Sequence, residues 1–528
     1  MATTIPETRP EQTDDEPERL PDATALHDRM PEWFRTPPVL TAFVTLIGLV
    51  YCLLSYHALT ITDLWGHLAY GRIILATGQI PATEPLMPLA AGMKFTDSAW
   101  LSQVIGAAMY DNWGAPGIQF LYAASITFCL GMLAWMAWRN SRGPWLTLLA
   151  VLAYCASTWH HLGIMRPQLA GMVCFLLVFA RLTTRKPSRV DWFLLPAVFA
   201  LWANLHGSFP AGLLLLGVYT VGRAVDGFRR TGQLRFVFRD ARFRRLFVLT
   251  ELCTAAVLLN PYGLGLFAAV REISGNPNFS ALPEWGPLDV TMLHGQVMAG
   301  VCLLLALAFR SSPRRISAAE GLSLAVFGLL SLWSSRMVVW WAPLAAVSLA
   351  AHAAASWRKR QHLPLVRQPL PASSTWTVVS LGIVWIAFGF TPFGQTLLHG
   401  PEENFQERYD VFTPVGAVEW LKQNPPQGQI FNTYEWGDYL LWAGPENAQV
   451  FVASHAHLVP REVWLDYLQI VSIQADWEEN LERYGVNTMF LDKARRSSLI
   501  AWLRRSEDWK LEYEDNMSAI YSRVDPIL

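Results

Sequence analysis

Charge and cysteine are both scarce in this chain of 528 residues. Charged residues make up 16% and the formal net charge is −1. A nucleic-acid partner needs a broad basic surface to displace its counterions, so none is expected. The six cysteines, Cys52, Cys129, Cys155, Cys174, Cys253 and Cys302, all fall in apolar stretches. That excludes a disulfide framework and a cysteine-based zinc motif. No glycine-rich phosphate loop occurs, which leaves a nucleotide site without support. The first residues are acidic and proline-rich (Pro6, Pro10, Asp14, Asp15, Glu16, Pro17). They are neither basic nor apolar as a cleaved signal peptide is, and residues 1–36 read as a disordered cytoplasmic tail.

What the chain has is apolar length. Hydrophobic residues reach 52%, with 24 Trp, the profile of a membrane protein. A helix needs about 20 apolar residues to cross the hydrocarbon. Eleven apolar stretches, several of them short, are read as roughly placed spans: 39–58, 115–137, 144–160, 167–180, 191–205, 210–222, 246–260, 293–309, 316–334, 337–355 and 375–392. Their loops alternate in charge. Twenty-one Lys and Arg residues lie on one side, among them eight arginines from Arg223 to Arg245, and Arg358, Lys359, Arg360 and Arg367. The short loops opposite hold only Arg72, Lys94, Arg166, Arg271 and Arg336. Positive loops stay inside, so a cytoplasmic N-terminus and an extracytoplasmic C-terminal region are expected in a cell (inner) membrane. Both flanks of residues 191–222 are basic. A hairpin of two short helices is therefore predicted, meeting at His206-Gly207-Ser208-Phe209-Pro210 in a recess lined by protein or water.

The expected organisation is mostly α: a polytopic transmembrane domain at 37–392, a linker at 393–409, and a small soluble α/β domain at 410–528. The long outer loop, 60–114, carries two amphipathic segments, Leu64–Thr77 and Ala99–Tyr110, suited to the headgroup plane among membrane lipids. In the soluble domain, helices are predicted at Val415–Gln423, Arg461–Ile473, Asp476–Tyr484 and Ser497–Arg504. Strands are predicted at Gln429–Asn432, Tyr439–Trp442, Gln449–Ala453, Asn487–Leu491, Lys510–Glu514 and Ser518–Arg523.

Ionisable residues at the membrane edge are costly and mark function by default. On the outer side these are Asp63, His67, Glu84 and Asp97 in the first loop, His160, His161 and Arg166 between spans three and four, and His206 with Asn204 in the hairpin. Asn260, Tyr262, Arg271 and Glu284 follow span seven, and Arg336 follows span nine. Carboxylates opposed by Arg and His suit chemistry on an anionic lipid-linked substrate: one carboxylate as general base, the cations on a phosphate leaving group. Structural readings stand beside these. Asp63 can cap the helix starting at Leu64; the His160-His161 pair can mark the interface, with a divalent metal a lesser reading; Asn260-Pro261-Tyr262-Gly263 can be a helix stop. His455 and His457 read as loop residues, and no certain cofactor emerges.

The run Thr62-Asp63-Leu64-Trp65-Gly66-His67-Leu68 resembles a group of bacterial polytopic membrane proteins. So do Gly78-Gln79-Ile80-Pro81, Glu84-Pro85, Trp100-Leu101-Ser102-Gln103, Arg166-Pro167-Gln168, Trp202-Ala203-Asn204-Leu205-His206-Gly207, Leu259-Asn260-Pro261-Tyr262-Gly263 and Tyr434-Glu435-Trp436-Gly437-Asp438. The architecture is similar to the C-type glycosyltransferases, which transfer sugars from polyprenyl-phosphate carriers. That resemblance implies Asp63 as the catalytic aspartate after the first span, acting as base or orienting the acceptor, Glu84 as the later acidic position, and Arg166 facing the carrier phosphate. Where the group has Glu-Trp-Leu this chain has Ala99-Trp100-Leu101, with Asp97 as a nearby substitute. Where it has Asp-Gly-Arg this chain has Ala453-Ser454-His455. The expectation is a glycosyltransferase-like protein working with a lipid-linked sugar donor and a glycan, lipid or protein acceptor. A non-catalytic assembly or polysaccharide-handling protein, binding a partner through its outer domain, is the alternative; a transporter lacks the inverted repeat it needs.

Overall fold

The computed structural model describes residues 30–60, 62–184, 187–361, 371–400, 408–446 and 448–527. The expected acidic tail lies almost wholly outside them, as do Arg185, Lys186 and Arg367 of the basic loops.

The membrane part is helical throughout. Its elements are α1 (Pro38–Ser55), α2 (Leu64–Thr77), α3 (Trp100–Ser141), α4 (Pro144–Leu162), α5 (Gln168–Leu182), α6 (Asp191–Leu205), α7 (Phe209–Thr231), α8 (Leu234–Arg239), α9 (Ala241–Val257), α10 (Gly265–Ser274), α11 (Leu293–Ser311), α12 (Ala318–Trp333), α13 (Val338–Arg360), α14 (Ser374–Gly389) and α15 (Pro392–His399). Each expected crossing coincides with one of these helices. Among the described residues, five helices are long and apolar enough to cross a membrane: α1, α3, α7, α11 and α13 with its lead-in; α14 and α15, bent by 80°, make a sixth if taken as one span. Helices α5, α6 and α12 are apolar but shorter. Fifteen helical residues rise about 23 Å against a hydrocarbon core of about 30 Å. The ends of these short helices on one side of the bundle carry Arg166, His206 and Arg336, which fits a recess there rather than a flat face.

The segment Ala99–Tyr110 and the span after it are two helical stretches, as expected; within α3 they meet at a non-helical kink at Gly114 (φ 61°), with Pro116 just beyond. Glycine tolerates that positive φ, and the proline removes the donor that would bridge the break. Two other expectations need correction. Within the stretch read as a linker, residues 392–399 form helix α15, capped by the Thr391 hydroxyl on the Gly394 amide. Residues 439–442 are helical, not extended, as part of α17 (Gly437–Ala443).

Helix α13 is the hub of the bundle. Every residue from Val338 to His352 is buried, the state of a helix apolar on all faces and surrounded by others. Its N-terminal end begins just after Arg336.

The soluble domain adds α16 (Val415–Gln423), α18 (Arg461–Val471), α19 (Trp477–Arg483) and α20 (Ser497–Leu503) to strands β1 (Gln429–Asn432), β2 (Gln449–Val450), β3 (Val486–Asp492), β4 (Trp509–Glu514) and β5 (Ser518–Arg523). The sheet order is β2-β1-β3-β5-β4. Strand β1 runs parallel to β2 and β3, and β3, β5 and β4 pair antiparallel. Parallel neighbours need a crossover, and α17 supplies the one from β1 to β2. That requirement overrides the strand-like alternation of Tyr439–Trp442.

The domain is docked rather than tethered. Leu59 bonds the backbone on both sides of Tyr409 across the join: its amide donates to the Arg408 carbonyl (2.8 Å) and its carbonyl accepts from the Asp410 amide (2.9 Å). Trp65 on α2 is fully buried, its ring 5.3 Å from Tyr439, 5.6 Å from Tyr409, 6.0 Å from Tyr110 and 6.1 Å from Trp442. On the far side, the Asn278 amide donates to the carbonyls of Ala456 and Val459 at 2.7 and 2.9 Å. Replacing a buried Trp by Ala costs about 3–5 kcal/mol. Trp65→Ala is therefore expected to speed proteolytic release of the soluble domain from the purified full-length protein; an unchanged cleavage rate would show that this aromatic cluster does not hold the join.

Candidate active site

Two guanidinium groups set the electrostatics. Arg166, just before α5, and Arg336, just before α13, both reach Glu284, in the turn Pro283–Trp285 after α10. The Arg336 Nη1 to Glu284 Oε1 distance is 3.0 Å and the Arg166 Nη1 to Oε2 distance is 3.4 Å. The Ser335 hydroxyl donates to the Glu284 carbonyl (2.9 Å), and Arg336 lies over the Trp285 ring at 4.4 Å. Burial pushes the Glu284 carboxyl up, but Arg336 and Arg166 outweigh it and hold it below the ordinary carboxylate range. One carboxylate against two guanidiniums leaves a surplus positive charge. His161 follows from the same geometry: its Nδ1 lies 3.3 Å from Arg166 Nη2.

Asp63 enters this field from α2. It stands at the N-cap position, yet its side chain makes no capping bond; only its backbone carbonyl serves the helix, accepting from the His67 amide at 3.0 Å. Its Oδ1 is buried without a hydrogen-bond partner. Buried carboxylate oxygens are normally satisfied, so the capping explanation for Asp63 falls. One turn along, a Cβ on Gly66 would overlap Asp438 Oδ1. Gly66 is thus what lets α17 bring Asp438 against the first turn of α2. Asp438 accepts from the Ser454 amide through Oδ2 at 3.0 Å, while its Oδ1 is also an orphan. Burial, with the Asp63 charge adding to it, pushes the Asp438 carboxyl up to about 7.

Asp97 acts at one remove. Its Oδ1 accepts from the Ala99 amide and from Gln103 Nε2, each at 3.0 Å; the same Gln103 nitrogen donates to His67 Nδ1 at 3.1 Å. The chain Asp97–Gln103–His67 places the imidazole proton on Nε2. Gly71 gives α2 and α3 the close approach this requires, since a Cβ there would overlap the Gln103 carbonyl. Burial, opposed by Asp63 and reinforced by Arg166, holds His67 below its ordinary value. The His67 ring meets His455 edge-on at 5.0 Å, and Tyr70 meets His455 at 4.8 Å. The Ser454-His455 departure therefore lies at the site.

The other expected residues are placed differently. His206 lines a cavity of about 890 Å³ together with Arg336, Ser208 and apolar side chains including Trp285, Phe327, Leu330, Trp333 and Trp340. Glu84 is held one residue back from the site, behind Tyr70: its carboxylate accepts from the Leu86 and Met87 amides (2.7 and 3.0 Å), closing a turn, and from the Tyr70 hydroxyl (2.8 Å). Asn204 joins the Trp100 indole to the Leu259 carbonyl. Asn260 accepts from the Tyr262 amide, and the Tyr262 hydroxyl receives the Asp97 amide at 2.9 Å. His160 is exposed beside His294. Among the described residues no three His, Cys, Asp or Glu side chains are placed to hold a metal. Reading the sequence missed Asp438, Gln103 and His455, and noted Glu284 without its partners.

Burial pushes the Asp97 carboxyl up to about 7. The folded state therefore binds a proton that the unfolded state, with its ordinary carboxyl near 4, has already lost. The stability due to that proton is full at low pH and is lost as pH rises through about 7. Asp97→Asn is expected to raise the melting temperature relative to the parent at pH 8 and to leave it nearly level at pH 4, a difference on the order of 2–4 kcal/mol. A melting difference independent of pH would contradict this.

No family model and no curated protein matches the chain. In three dimensions it is similar to the arabinofuranosyltransferase AftD from Mycobacteria, with a TM-score of 0.52, 14% identity and 91% of this chain covered; it spans 40% of that protein's length. It is also similar to ArnT from Cupriavidus metallidurans, solved bound to undecaprenyl phosphate, with a TM-score of 0.50, 15% identity, and 92% of this chain and 98% of that one covered. At these identities the likeness speaks for the fold alone, and the fold is that of the membrane-embedded C-type glycosyltransferases.

Proposed function

We propose that the protein transfers a sugar from a polyprenyl-phosphate carrier to an acceptor on the extracytoplasmic face. The observation that carries this is the pair Arg166 and Arg336 sharing one carboxylate beside the unpaired Asp63, with Arg336 at the wall of a largely apolar cavity. A phosphate needs forked, rigid donors, which guanidinium supplies; a polyprenyl chain needs apolar walls. The bound undecaprenyl phosphate of ArnT supports the same class of donor. Sidedness rests on the arginine asymmetry of the loops.

In this reading Arg166 and Arg336 hold the carrier phosphate and stabilise the charge it gains as it leaves. Asp63 accepts the proton of the acceptor hydroxyl as its oxygen attacks the anomeric carbon. Asp97 and Gln103 orient His67 beside Asp63. A purely scaffolding role leaves the two orphan carboxylate oxygens and the surplus positive charge unexplained.

Asp63→Asn removes the base while keeping the shape. With purified protein in lipid nanodiscs and a panel of polyprenyl-phosphate sugars, transfer is expected to fall about 10²–10⁴-fold while undecaprenyl phosphate still binds in native mass spectrometry. Undiminished transfer would remove Asp63 from the mechanism.

A further inference from the structure

The soluble domain contributes a buried carboxyl that the mechanism above does not use. Asp438 is 1% exposed, sits against Gly66 in the first turn after Asp63, and turns an unbonded oxygen inward. Its other oxygen is occupied by the Ser454 amide. A buried carboxyl oxygen without a donor is expensive as an anion, and becomes a hydrogen-bond donor when it carries a proton. The nearest basic nitrogen, His455 Nδ1, is 3.9 Å away, too far for a hydrogen bond.

The groups around Asp438 come from several elements. Asp63 and Tyr70 act on it from α2, with His67 against His455; Tyr434 and Glu435 precede it, and His455 and His457 follow β2. Glu84 and Asp97 act on Tyr70, and Tyr434 is influenced by Asp438, Glu284 and Asp63 together, which joins the carboxyl to the Arg166–Glu284–Arg336 group. Burial holds His455 and His457 below their ordinary range, the latter at about 4, so neither imidazole supplies a cation to pair with the carboxyl near neutral pH. Two carboxyls in one site whose surroundings differ divide acid and base roles between them.

Resting on the glycosyl-transfer reading, we propose that Asp438 is the general acid of the reaction, paired with Asp63 as base. The acceptor oxygen bonds to the anomeric carbon and its proton passes to Asp63. The bond from that carbon to the carrier-phosphate oxygen breaks, and its electron pair stays on the phosphate. Asp438 protonates that oxygen, so the carrier leaves as the monoanion. Transfer of a proton from Asp63 to Asp438 then restores the starting state, with no net change in protons on the protein. The soluble domain is thereby part of the active site rather than an appendage.

Two measurements on the full-length protein in nanodiscs test this. The first needs no substrate: infrared titration of protein carrying ¹³C-labelled aspartate. The carbonyl band of a protonated carboxyl is expected to titrate near pH 7, to vanish in Asp438→Asn, and to titrate at lower pH in Asp63→Asn, because the neighbouring charge is gone. Asp97 titrates in the same range, so the spectra are taken in an Asp97→Asn background. The second is the rate against pH with a polyprenyl-phosphate sugar donor. Parent activity is expected to fall about tenfold per pH unit above 7 as the acid loses its proton. Asp438→Asn should be slower by about 100-fold near pH 6 and show no further alkaline fall. An Asp438→Asn rate that keeps the parent's alkaline limb, or a carboxyl band indifferent to Asp63→Asn, overturns the proposal. Failure of the parent to use any polyprenyl-phosphate donor, with the coupled band present, overturns the glycosyl-transfer reading instead and takes the acid role with it.

Discussion

Two arginines among apolar helices are tolerable only if something neutralises them, and that demand organises the half of this molecule that meets the soluble domain. Burying an unpaired charge costs several kcal/mol even after relaxation. Arg166 and Arg336 arrive from the ends of different helices, and Glu284 meets both. Glu284 sits on a segment whose Asn278 is bonded to the soluble domain. Fixing the ion pair therefore also fixes the loop, and the loop grips the domain. The other grip is Trp65 on α2. Between them lie Asp63, His67 and Asp438, sealed by elements more than 350 residues apart in the chain.

Much of the fold was legible from composition alone. Apolar length and arginine asymmetry are local properties, and they marked all the stretches that became the long helices of the bundle. Local signals failed where a long-range demand intervened. Tyr439–Trp442 alternates as a strand does, but the parallel pairing of β1 and β2 needs a helix there. The break between Tyr110 and residue 115 was legible, because the Gly114 and Pro116 pair interrupts an otherwise helical run.

The site divides along the same line. Asp63, His67, Arg166 and Arg336 could be named because a charged or polar residue at a membrane edge is costly wherever it ends up. Glu84 shows the limit of that reasoning: it satisfies the same rule and closes a turn. Asp438, in a helix of ordinary soluble character, carries no such signal; its role depends on Gly66 leaving room on another domain. Gln103 is an amide whose importance lies in joining Asp97 to His67. Ala99 and His455, which looked like losses, have compensating neighbours: Asp97 bonds the Ala99 amide, and His455 packs on His67 and Tyr70.

The most direct test is a structure of the full-length protein in nanodiscs with undecaprenyl phosphate. The phosphate is expected within hydrogen-bonding distance of both Arg166 and Arg336, with the prenyl chain along the cavity walled by Phe327, Leu330 and Trp340. A phosphate bound elsewhere, with the Arg166–Glu284–Arg336 group undisturbed and no ligand near Asp63, would contradict the account.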